Sequence, residues 1–142
     1  MKNIRFFSFI VKYFGFLKVV PLAPHVFDSL LRLWTMLINV ELLDWIDEIE
    51  SEVLSWEGTS ISMHKYGGLQ FNQNRKEIGH LHSNGLMDIL YSRKLKQQLL
   101  EEGRISPHHL FNNTGWVSFI IQSKSDVGYA IKLLRVSYEM RN

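Results

Sequence analysis

The chain has 142 residues, 46% of them hydrophobic and 21% charged, with a net charge of +2. That composition suits one domain with a real core and excludes a disordered or low-complexity protein. With no cysteine at all, disulfides, thiolate metal sites and cysteine nucleophiles are excluded, and a reducing cytoplasm is the natural setting.

The first twenty residues, MKNIRFFSFIVKYFGFLKVV, set Lys2, Arg5 and Lys12 on one side of a helix and Phe6, Phe9, Ile10, Tyr13 and Phe14 opposite or beside them. Lys12 in mid-run argues against a transmembrane span, and with Pro21 it argues against a signal peptide. The expectation is an amphipathic helix, packed on protein or, over residues 4–20, resting on a membrane surface. PLAP, residues 21–24, breaks the chain. A second helix follows, with Asp28 as a candidate cap and Val26, Leu30, Leu33, Trp34, Leu37 and Ile38 at helical spacing. Asn39 interrupts it before a third helix over 41–54, with Leu42, Trp45, Ile46, Ile49 and Val53 on one face. Residues 41–57 hold seven acids and no Lys or Arg, whereas Gly58 onward holds eleven basic residues and six acids. The ordinary reading of that basic excess is a solvated face.

After Gly58 the period becomes that of strands. SISMHKYGG and LQFNQ alternate, with Gly67-Gly68 as a bend. KEIGHLH and GLMDILY form a hairpin around Ser83-Asn84-Gly85. Ser92 caps a helix that ends at Gly103, ISPHHLFNNTG reads as a loop, WVSFIIQ as a strand, and a last helix carries Val127, Ala130, Ile131, Leu134 and Tyr138. The predicted class is α+β. A helical N-terminal segment (1–57) precedes a core (58–142) of order β-β-β-β-α-β-α, its helices on one face of a mostly antiparallel sheet.

The hairpin carries the chemistry. A two-residue Asn84-Gly85 loop would pair His82 with Met87 and send Asp88 to the other face. A three-residue Ser83-Asn84-Gly85 loop pairs His80 with Asp88 and puts His80, His82 and Asp88 on one face. The second is favoured because it uses Gly85 where φ is positive. Two imidazoles and a carboxylate are a ligand set for zinc or iron, and also a base–orienter set for proton transfer. His108 and His109 are candidates to join them. The structural alternative leaves His82 exposed at the turn and His80 bonded to Asp88 or backbone. Arg75, Glu77 and Trp116 are candidate ligand-binding residues. Arg75, Lys76, Arg93, Lys94 and Lys96 are candidate phosphate contacts, with a solvated face as the plainer reading.

Five separated segments together resemble an uncharacterised bacterial and fungal family labelled "luciferase domain": Gly67 to Phe71, Arg75 to Asp88, Gly103 to His109, Thr114 to Phe119 and Leu133 to Glu139. The chain departs from the family pattern at Gln70, where an acid is usual, at Lys76, which separates Arg75 from Glu77, and at Thr114, which replaces Ser. The resemblance implies that His80, His82, Asp88, His108 and His109 belong to one set of motifs. It implies no light-emitting activity. The Trp-led strand followed by a helix ending on Ser-Tyr is similar, more loosely, to the MmcQ/YjbR-like proteins.

The function expected first is a small ligand-binding or interaction domain with a polar His/Asp cleft. Behind it stands a metal- or His-dependent enzyme using His80, His82 and Asp88, and behind that nucleic-acid binding. The partners considered are a small ligand, a second copy through the N-terminal helices and a membrane surface.

Overall fold

The structure is a computed structural model that describes Lys12 and residues 19–141. The expected first helix thus lies outside the described residues, apart from Lys12, Val19 and Val20. Two helices open the described chain: α1 (Ala23–Ile38) and α2 (Val40–Leu54). A six-stranded antiparallel sheet follows, of β1 (Thr59–Met63), β2 (Leu69–Gln73), β3 (Lys76–Leu81), β4 (Leu86–Leu90), β5 (Ser106–Pro107) and β6 (Trp116–Ile120), in spatial order β1-β2-β3-β4-β6-β5. Helix α3 (Arg93–Glu101) lies between β4 and β5, and α4 (Val127–Glu139) closes the chain. The α+β class is as expected. The short β5 is an addition within the expected loop, formed because Ser106 and Pro107 lie across from Ser118 and Val117.

Helix α1 begins at Ala23, with Pro24 in its first turn where a missing N–H costs nothing. Asp28 therefore lies inside the helix and does not cap it. Ser92 does cap α3, accepting from the Leu95 N–H at 3.2 Å.

Alternation sorts the sheet into two faces. Gly79, Leu81, Met87, Ile89, Val117 and Phe119 lie on one, paired as neighbours along the register. There α2 and α4 pack, and Leu42, Ile46, Ile49 and Val53 join Ala130, Leu133 and Leu134 in one buried core. Gly79 is a close approach: a Cβ there would sit 3.0 Å from the Leu134 side chain. Residues 70, 80, 88 and 118 line the opposite face, which is covered by the segments 64–68 and 108–116.

Candidate functional site

The β3–β4 hairpin sets the site. His80 lies opposite Asp88, and beyond the strand end the His82 N–H donates to the Leu86 carbonyl at 2.9 Å. The Gly85 N–H returns to the His82 carbonyl at 2.9 Å, with Gly85 at φ +84°. This is the three-residue reversal with a left-handed glycine. A Cβ on Gly85 would stand 2.8 Å from the Ile121 carbonyl oxygen, so glycine is required twice over.

Asp88, 1% exposed, is the centre of the cluster. Ser118 on the neighbouring strand donates its hydroxyl to Oδ1. His80 Nε2 stands 3.4 Å and His108 Nε2 3.6 Å from Oδ2. Burial alone would raise this carboxyl, but the His80 imidazolium beside it, with help from His108 and Ser118, holds it down to about 2. The other nitrogen of His80, Nδ1, meets Glu77 Oε1 at 2.6 Å. Burial works against the imidazolium, yet the two flanking acids win and its pKa lies above the ordinary value.

The other four imidazoles of the site are held below their ordinary pKa. His64 stacks on His80 with ring centroids 3.7 Å apart, and burial followed by the His80 charge lowers it to about 3. His82 stands edge-on to both rings, and burial, then His80, pushes it well below its usual value. Burial is the main cause again at His108, brought down to about 4, and at His109, which stacks on it at 4.3 Å. His108 has a fixed tautomer. Its Nδ1 accepts from the Leu110 and Phe111 N–H groups at 3.0 and 3.1 Å, which leaves the proton on Nε2, facing Asp88.

These groups line a cavity of about 70 Å³, with Tyr66, Phe111 and Trp116 among its walls. Ligand atoms of His64, His80 and His82 fall within 4.8 Å of one another, as do those of Asp88, His108 and His109. The structure thus brings His80, His82, Asp88, His108, His109, Glu77 and Trp116 to one place. His82 is buried, contrary to the reading that left it exposed at the turn. Arg75 is not brought in. It is exposed at φ +68°, and with Asn74 it forms the two-residue turn between Gln73 and Lys76. Gln70 lies directly across from His80, but its amide donates to Asn72 and it does not line the cavity. Lys96 is no phosphate contact: buried, it donates to the Asn112 and Thr114 carbonyls at 2.6 and 2.8 Å and pins the loop that follows His108 and His109.

His64 was not among the residues singled out from the sequence. Its only local signal is its place at the end of the alternating SISMH run. It reaches the site because the turn after β1, closed by the Gly67 N–H on the His64 carbonyl at 2.8 Å, folds over the sheet.

Fold and site together define a small α+β domain with a buried histidine–carboxylate cleft on the sheet face away from α2 and α4. A family model described as "Luciferase domain" matches residues 75–137, which supports the resemblance to that family read from the motifs. The match takes in every residue of the cluster except His64. No curated protein and no solved structure matches the chain, and the comparisons lend no support to the likeness to the MmcQ/YjbR-like proteins.

Proposed function

We propose that the domain binds a small ligand in the His/Asp cleft and that this ligand is, or is held by, a divalent transition metal, zinc or iron. One observation carries the reading. His80 Nε2 and Asp88 Oδ2 are 3.4 Å apart, long for a charged N–H···O bond at about 2.7–2.9 Å. It is close to the edge of a tetrahedron of ligands, about 3.3 Å when each sits about 2.0–2.1 Å from an ion. His80 has the support expected of a ligand, since Glu77 on Nδ1 leaves Nε2 directed at the cavity. Neutral His64 and His82 supply further lone pairs. His108, its Nε2 already protonated, serves to orient Asp88 and to donate to whatever occupies the cavity.

A second reading rests on the same relay without a metal. His80, held between Glu77 and Asp88, is placed to pass a proton to a bound ligand. Elemental analysis and a zinc titration followed by calorimetry separate the two. The metal reading expects stoichiometric binding that His80→Ala and Asp88→Asn each weaken by about 100-fold or more. A wild-type protein that neither carries nor takes up zinc or iron would overturn it and leave the proton relay.

Among the described residues no helix is long and apolar enough to cross a membrane. The cysteine-free sequence supports a cytoplasmic location, which we include in the proposal.

A further inference from the structure

Helix α1 carries its apolar stripe on the outside. Val26, Leu30, Leu33, Trp34 and Leu37 are 58, 62, 51, 60 and 71% exposed, and Met36 and Ile38 beside them are exposed as well. Polar groups make up much of the inward side. Thr35, 2% exposed, donates to the Ser83 carbonyl at 2.8 Å, and Asp28 accepts from the Ser83 hydroxyl at 3.2 Å. Phe27 and Asp28 close over Gly67, where a Cβ would meet them at 3.3 and 3.2 Å. Rolling the helix to bury its leucines would break both bonds to the hairpin turn, so the outward apolar face is locked in place.

We propose that this face is a docking surface for an anionic lipid membrane, with α1 lying in the plane of the interface. The charge balance selects that occupant. Residues 1–40 contain Lys2, Arg5, Lys12, Lys18 and Arg32 against a single acid, Asp28, and are rich in Phe. The seven acids begin at Glu41, and one of them, Asp47, pairs with Arg32 at 3.5 Å, so the cationic excess is carried by the four Lys and Arg residues that precede α1. A self-interface would set this cationic excess against its own copy, whereas an anionic headgroup layer neutralises it while the acyl boundary takes the leucines and Trp34. Sixteen residues of helix reach only about 24 Å, short of the roughly 30 Å hydrocarbon core, so α1 lies along the surface and does not span it. The inference is independent of the metal reading.

The test is co-sedimentation of the full chain with vesicles of phosphatidylcholine alone and of phosphatidylcholine mixed with phosphatidylserine, beside sedimentation analysis without lipid. The expected result is binding to the mixed vesicles that weakens with salt. Leu30→Glu/Leu37→Glu should reduce it about tenfold or more, with far-UV circular dichroism and the zinc titration unchanged. Wild-type protein that stays in the supernatant, or binding indifferent to the double substitution, would overturn the proposal. So would a lipid-free dimer that the substitutions dissociate, which would assign the face to a second copy.

Discussion

The β3–β4 hairpin and helix α1 invert the same rule in opposite directions. In the hairpin, two histidines and an aspartate are buried at 5, 2 and 1% exposure. On α1, leucines and a tryptophan at regular helical spacing face out. Hydrophobic pattern describes which residues share a side of an element, and in both places it does so correctly. It does not say which side the rest of the molecule will cover. Coverage here follows from polar partners: Ser118, Glu77 and His108 make the buried acid and imidazolium tolerable, while Thr35 and Asp28 turn the polar edge of α1 inward.

The largest effect expected from breaking this contrast is at Asp88. Asp88→Ala leaves the His80 cation with one acid and strips Ser118 of its acceptor. A loss of about 3–5 kcal/mol in urea unfolding follows, and a loss below about 1 kcal/mol would show that the cluster is not a coupled unit.

Acid should act next, and the sign follows from the shifts. His64 and His108 titrate at about 3 and about 4 in the folded chain, below the ordinary value near 6.5. Between pH 6.5 and 4 the unfolded chain takes up protons that the folded chain refuses, so stability falls as pH falls, by up to about 1.4 kcal/mol per unit for each proton. His80, shifted upward, adds stability that is complete below about 6.5 and lost as pH rises through its raised value. Asp88 contributes above about 3.9 and loses its contribution as pH falls through about 2. Urea midpoints that stay flat from pH 7 to 4.5 would contradict neutral His64 and His108.

Leu81→Ala, on the helix-covered face of β3, should cost about 3 kcal/mol. Gly85→Ala should cost about 2 kcal/mol, from positive-φ strain and the contact with the Ile121 carbonyl; thermal melts measure both. Leu30→Ala, the same side-chain change on α1, should shift the midpoint by less than about 0.5 kcal/mol. A Leu30→Ala cost approaching that of Leu81→Ala would mean that protein already covers the stripe, and would remove the basis for a lipid-facing helix.

Local chemistry made much of this legible beforehand. The Ser83-Asn84-Gly85 reversal, the pairing of His80 with Asp88 and the cap at Ser92 each depend on a few neighbouring residues. The grouping of His108 and His109 with the hairpin residues came instead from the family resemblance, which spans widely separated motifs. One miss was local and one long-range. Arg75 looked available for a ligand until the Asn74-Arg75 turn took up its backbone and left it exposed. Lys96 looked like one more surface cation, and only the arrival of Asn112 and Thr114 makes it a buried clasp.

By itself the sequence determined the order of helices and strands apart from the short β5, the favoured hairpin register and the residues that share each face, because backbone periodicity and turn stereochemistry act over a few residues. The tertiary structure alone decided that His64 stacks on His80, that Glu77 rather than Arg75 reaches the cleft, and that α1 shows its leucines to the outside. Those outcomes depend on where separate segments come to rest against one another, and that is set by the summed packing and hydrogen bonding of the whole domain.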